Sequence, residues 1–242
     1  MLFKTRGLVL HHVNYSESSI IAYLYTEKFG RQAYLVHGAK NKKSLIRSNL
    51  FQPLFLLDME VYHKQNRNLQ KIKEAKNNPV FLSIPYSEHK RSIAFFLSEV
   101  LYKVLKEEES NPSLFEFLHS KIHFFDLMEE NYNSFHLDFL VNLSKHLGFY
   151  PRNNYSNENC YFDLMNGIFI NKKPFHNHYF GSELAEILHA ILSNKFHSAE
   201  HGPVINNQAK TSFLVRIMEY YQLHLEGLGQ IKSLDVLKEI YH

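Results

Sequence analysis

The sequence predicts an α+β protein, a five-stranded N-terminal barrel followed by an α-helical domain with an irregular insertion. Three observations lead there. Apolar residues recur with a period near 2 through the first 76 residues and near 3.6 beyond Pro79 and Pro85. The charge divides at the same place: residues 1 to 76 hold 13 Lys and Arg against 5 Asp and Glu, whereas residues 77 to 242 hold 14 against 19. The overall net charge of +3 conceals this split. Third, 242 residues with 45% hydrophobic content are enough to bury a sizeable core in two domains, expected at 1–78 and 79–242.

Each element follows in order. Thr5 to Val13 (TRGLVLHHV) is a strand, and the turn formers Asn14 to Ser18 separate it from a second, Ser19 to Thr26. Lys28-Phe29-Gly30 closes a hairpin onto a third strand, Arg31 to Val36. A short helix is expected over Ser44 to Leu50, then strands over Pro53 to Tyr62 and Leu69 to Ala75, joined by the polar turn His63 to Asn68. Three strands, a short helix and two strands is the element order of an OB-fold, whose open face commonly holds single-stranded nucleic acid.

In the second part, Ile93, Leu97, Val100, Leu101, Val104 and Leu105 share one helical face, and Glu107 to Glu109 should end that helix in solvent. Asn111 and Pro112 supply the N-cap and first turn of a helix burying Leu114, Phe115, Leu118, Ile122 and Phe125. Further helices are expected at about Ser134 to Leu147, Ser182 to Leu192, Gln208 to Leu225 and Ser233 to Ile240. Between them lies the insertion, Tyr150 to Phe180. The 20 Phe and 15 Tyr are mostly core, so they do not by themselves make a base-stacking surface.

The sharpest binding motif is His37-Gly38-Ala39-Lys40-Asn41-Lys42-Lys43-Ser44. Gly38 permits a positive φ, and three lysines in four residues project from a loop with no acid among them. Lysine is a mobile point charge that follows phosphates without reading bases, so the implied binding is sequence-independent and salt-sensitive. Arg47 continues this edge, and Lys64, Arg67, Lys71 and Lys73 offer a second one from the last hairpin. With Arg6 these make up the candidate DNA-binding residues. A solvated charged loop is the ordinary alternative for any single run of this kind. The regional charge and the barrel context favour binding.

The ordered series RGLVLHHVNYSESS, TEKFGR, HGAKNKKS and LFQPL between Arg6 and Leu54 resembles the N-terminal domain of the bacterial RecO family of DNA repair and recombination mediators. HLGFYP (His146 to Pro151) and IKSLDVL (Ile231 to Leu237) resemble that family's helical core in the matching order. The resemblance implies binding of single- and double-stranded DNA, strand annealing and help in loading RecA. Implied partners are RecR, the C-terminal tail of the single-stranded-DNA-binding protein and, indirectly, RecA. Many members carry a four-cysteine zinc site in the region of the insertion. This sequence keeps only Cys160, which with His176 and His178 falls short of the four ligands a closed structural zinc needs. A degenerate, metal-free former zinc-finger region is expected at about 150–180, packed by Tyr161, Phe162, Ile168, Phe169 and Phe175.

No catalytic residue and no cofactor are expected. The 16 histidines fall in no recognisable zinc spacing, and His11 and His12 should point to opposite sides of a strand. Cys160 with Asp163 and a distant histidine is weak as a nucleophilic site, and no phosphate-cradling glycine loop occurs. A single cysteine fits a reducing compartment, and no stretch of 18 apolar residues exists. These features point to a cytoplasmic chain with no membrane partner, nucleoid-associated if DNA is its ligand. The other binding class left open is an RNA- or ribosome-associated OB-fold protein, because a lysine loop does not distinguish the two nucleic acids.

Overall fold

A computed structural model describes residues 1–41, 46–196 and 205–239. The chain forms two compact units, Met1–Met128 and Glu129–His242.

The first unit is built on β1 (Leu2–Asn14), β2 (Ile20–Thr26), β3 (Gly30–Val36), β4 (Leu56–Tyr62) and β5 (Gln70–Asn77). They close into a barrel in the order β1-β2-β3-β5-β4. All neighbours are antiparallel except β3 and β5, whose parallel pairing of Tyr34 with Gln70 and Leu35 with Lys71 completes the closure. This is the OB-fold. The length of β1 lets it serve two neighbours, with Leu2 to Leu8 on β4 and Gly7 to Asn14 on β2, and its register shifts between Val9 and His11. In β3 the alternation is clean, with Gln32, Tyr34 and Val36 inside the barrel and Arg31, Ala33 and Leu35 outside. The expected short helix is a 3-10 turn, Ser48–Phe51. Residues 44 and 45, where it was expected to begin, lie outside the described residues.

Two helices join the barrel in this unit. Ser87 caps α1 (Glu88–Val104) by accepting the Lys90 N–H, and Asn111 caps α2 (Pro112–Leu127) by accepting the Leu114 N–H, with Pro112 in the first turn. The Ser98 hydroxyl of α1 donates to the Leu10 carbonyl of β1. Arg31 closes the end of α1, its Nη1 donating to the carbonyls of Tyr102 at 3.0 Å and Leu105 at 3.2 Å. The Glu107 to Glu109 side chains are exposed as expected, yet their backbone lies against β3. Arg31 N donates to Glu107 O at 2.9 Å, and a Cβ on Gly30, whose φ is +58°, would collide with the Glu109 carbonyl oxygen. Only glycine fits there.

In the second unit, α3 (Phe135–His146) packs with α4 (Ser182–Leu192) and α5 (Asn207–His224), and α6 (Ser233–Glu239) follows. The Tyr221 hydroxyl of α5 donates to Leu140 O of α3 at 2.7 Å. The insertion is more regular than expected. Its strands β6 (Tyr161–Asp163), β7 (Ile168–Ile170) and β8 (Tyr179–Phe180) form a sheet in the order β7-β6-β8. Period 2 places Phe162, Phe169 and Phe180 on the buried face and leaves Tyr161 and Ile168 half-buried on the other. Phe175 does not pack at all. It sits in the β7–β8 connection, beyond the strand pattern that turns its neighbours inward, and is fully exposed.

Candidate nucleic-acid interface

The barrel gathers most of the candidate cations along β5 and at its two ends. Strict alternation along this strand would put Lys71 and Lys73 on one face and Lys76 on the other. A register shift between Glu60 and Val61 of β4 breaks that pattern, so Lys71, Lys73, Glu74 and Lys76 are all exposed. At a strand rise of 3.3–3.4 Å per residue, Lys71 to Lys76 spans about 17 Å. Lys76 was not among the sequence candidates. The lysine spacing in Lys71-Ile72-Lys73-Glu74-Ala75-Lys76 was its signal, hidden because the bulge depends on the partner strand.

One end of this strip is the β4–β5 turn, which carries exposed Lys64 and Arg67. The buried Gln70 amide holds the turn: it accepts from Lys64 N at 3.0 Å and donates to the carbonyls of Lys64 at 2.8 Å and Arg67 at 2.7 Å. The two cations therefore stand on an ordered turn. At the other end, the 3-10 turn that Arg47 precedes packs on β5, and Ile46 lines the same groove as Ala75 and Lys76. Gly38 has the positive φ expected of it, +66°. Lys40 follows, its Nζ donating to Ser16 O at 3.1 Å and its backbone N–H to Ser18 O at 3.2 Å, which fastens this loop to the β1–β2 turn. Lys42 and Lys43 lie outside the described residues.

The candidates differ in how much charge they have to offer. Lys64, Arg67 and Lys71 have no carboxylate partner among the described residues. Lys73 pairs with Glu60 at 2.9 Å, and this hydrogen bond lowers the Glu60 pKa and raises that of Lys73. Arg6 is spent further. Its guanidinium takes the Glu27 carboxylate in a bidentate pair, reaches Glu116 of α2 and lies 5.0 Å over the Phe115 ring. The hydrogen bonds to Glu27 and then Glu116 raise the Arg6 pKa above its ordinary value. Arg6, Lys73, Lys76, Lys4 and Lys28 line a groove of about 670 Å³ between β1, β4 and β5, together with Glu27, Asp58, Glu60 and Glu74. The charge there is near balance, whereas no carboxylate offsets Lys64, Arg67 and Lys71 outside the groove.

The residues set aside for chemistry are occupied elsewhere. His11 lies against Tyr23 and Tyr102, with its pKa lowered first by burial and then by His12, whereas His12 Nδ1 sits 2.9 Å from Phe51 O. His176 faces the Asp163 carboxylate at 3.5 Å and His178 that of Glu219 at 2.5 Å. Asp163 also accepts the N–H of Met165 and Asn166, closing the β6–β7 turn. Among the described residues no three His, Cys, Asp or Glu side chains are grouped to hold a metal, so the donors present do not fit a closed zinc site. Nor is any helix among them long and apolar enough to cross a membrane.

A closed OB-fold barrel with a cationic strip, in a chain that also carries a helical unit, defines a two-part OB-fold protein. The comparisons with known proteins are specific. Residues 1–78 match the family model for the Recombination protein O N terminal and residues 89–234 that for the Recombination protein O C terminal, so the chain belongs to the RecO family. It is 39% identical over 242 residues to the DNA repair protein RecO of Bacteroides fragilis, and 37% identical over 241 residues to those of Phocaeicola vulgatus and Azobacteroides pseudotrichonymphae. Each match covers 100% of both chains. Family membership assigns the chain a role in DNA repair and recombination.

Proposed function

We propose that this chain is a non-enzymatic mediator that binds single- and double-stranded DNA, anneals complementary strands and assists loading of RecA onto DNA coated with single-stranded-DNA-binding protein. The barrel holds DNA, and the acidic helical part docks RecR and the C-terminal tail of the single-stranded-DNA-binding protein. It works in the cytoplasm, at the nucleoid. The observation that carries this reading is the exposed, carboxylate-free set Lys64, Arg67 and Lys71 on one edge of an OB barrel. Such a strip neutralises phosphates without contacting base edges, which suits a protein that must accept any sequence and bring two strands of like charge together. Competition between matched single-stranded DNA and RNA tests it, beside a strand-annealing assay. DNA preference with accelerated annealing is expected. Preference for RNA, or no acceleration, would move the chain to an RNA- or ribosome-associated role.

A further inference from the structure

Between β7 and β8 the chain runs Asn171-Lys172-Lys173-Pro174-Phe175-His176-Asn177-His178. Phe175 has a relative exposure of 113%, the largest among the exposed apolar side chains of the described residues. It forgoes the whole stabilisation that burial would bring, so packing within the unit gives no reason for an aromatic ring there. The loop that presents it is fastened. His178 O accepts Leu164 N at 3.1 Å, Arg216 Nη1 donates to Asn177 O at 3.1 Å, and His178 N donates to His176 Nδ1 at 3.3 Å. Pro174 restricts the backbone immediately before the ring. The ring is thus presented by an ordered tip.

Charge at this tip runs against the rest of the unit. Residues 129 to 242 hold 9 Lys and Arg against 12 Asp and Glu, yet residues 164 to 178 contain no acid. The two carboxylates that reach the loop are already engaged, Asp163 by His176 and Glu219 by His178 and by Arg216 at 2.6 Å. Lys172 and Lys173 are exposed and have no carboxylate partner. The Lys173 ammonium lies 5.3 Å over the ring of Tyr179, which in turn meets Tyr161 edge-on at 6.2 Å. An exposed ring on a fastened loop, beside two cations that no carboxylate neutralises and with an aromatic ledge behind them, has the chemistry of a stacking platform.

We infer that the β7–β8 tip is a second nucleic-acid contact, in which Phe175 stacks on an unpaired base and Lys172 and Lys173 take the flanking phosphates. The inference rests on the proposed DNA-binding function and adds a site on the other compact unit. A peptide partner fits less well, because the ring stands beside two cations that no carboxylate neutralises, and a nucleotide supplies both an aromatic face and the anionic groups next to it. Stacking needs only one free face, and every base supplies its complement. Single strands are selected because paired bases present no face to the ring.

The chain has no tryptophan, so Phe175→Trp introduces a sole indole reporter at the tip. Oligothymidylate is expected to quench its emission, while a blunt duplex leaves it unchanged. Phe175→Ala should weaken oligothymidylate binding about 5- to 150-fold, the range for loss of one stacked base. Lys172→Ala/Lys173→Ala should lower the salt slope by about 1.4, two single-strand contacts. Full exposure of Phe175 means that both of its variants should keep the parent melting temperature, which is checked alongside. Unquenched indole emission in Phe175→Trp and unchanged affinity in Phe175→Ala, with the barrel variant Lys64→Ala/Arg67→Ala/Lys71→Ala impaired, would overturn the tip contact and leave DNA binding by the barrel intact. Failure of the parent chain to bind any DNA would overturn both. A blue shift with an acidic apolar peptide and none of these responses to DNA would make the tip a protein-docking site instead.

Discussion

Replacing Lys64, Arg67 and Lys71 together by alanine removes three barrel cations, on β5 and the β4–β5 turn, that are exposed and have no carboxylate partner among the described residues. If each meets one phosphate, the log-log salt slope for single-stranded DNA falls by about 2, at roughly 0.7 per contact. With equal affinities extrapolated to about 1 M salt, that is about a 100-fold loss at 0.1 M. The partnered lysine supplies the control. Lys73 is neutralised by Glu60 in the free protein, so Lys73→Ala/Glu60→Gln removes a pair of no net charge and should leave the slope where it was. Fluorescence anisotropy with labelled oligothymidylate, titrated at several salt concentrations from about 50 to 200 mM, measures both slopes. An unchanged slope in the triple variant, with DNA still bound, would refute the strip as the phosphate contact. A drop of equal size in the charge-neutral pair variant would refute the reasoning that internal ion pairs withhold those lysines.

Lys90 is buried at 2% exposure, where its ammonium serves the end of α2 by donating to the carbonyls of Phe125 and Asp126 at 3.0 Å and Met128 at 2.6 Å. Lys90→Met strands those acceptors and should cost about 3–5 kcal/mol in urea unfolding; a loss below about 1 kcal/mol would show that water replaces the ammonium. Complete burial, with a smaller contribution from Lys210, pushes the His136 pKa down from 6.5 to about 3. Below the unfolded value the unfolded chain takes up a proton that the folded chain refuses, so this group's contribution is complete above pH 6.5 and declines as pH falls towards 3. The loss should reach about 2–3 kcal/mol by about pH 4.5 and be shallower in His136→Gln; identical pH slopes would reject it. Because the donors around Cys160 form no closed set, a strong chelator should leave the melting temperature unchanged and Cys160→Ser should be mild. One zinc per chain, released on replacing His176 or His178, would reverse that expectation.

The barrel was legible because short β-branched and aromatic runs, β2 and β3 among them, are separated by turns that carry Gly30 and the polar run from His63 to Asn68. Helix starts were legible for a similarly local reason: Asn111 caps α2 three residues before the N–H that it accepts. Long-range pairing was invisible. Arg6 looked like a free cation, since Glu27 is 21 residues away and Glu116 is 110 away on α2. The exposed face of β5 failed for the same reason, since a bulge belongs to a pair of strands and has no signature in one of them. Phe175 marks the opposite error. Its composition resembles its neighbours Phe162 and Phe169, but those alternate within strands and it follows a proline in a connection. Charge located the barrel site in the sequence, whereas the β7–β8 tip was read there as apolar packing; ion pairing and strand register decide which side chains are left to meet a ligand. A charge-reversal survey based on composition alone would weight Arg6 and Lys71 equally. The structure separates them, because Arg6→Ala strands Glu27 and Glu116 and perturbs the barrel–α2 packing, whereas Lys71→Ala removes an exposed charge and tests binding alone.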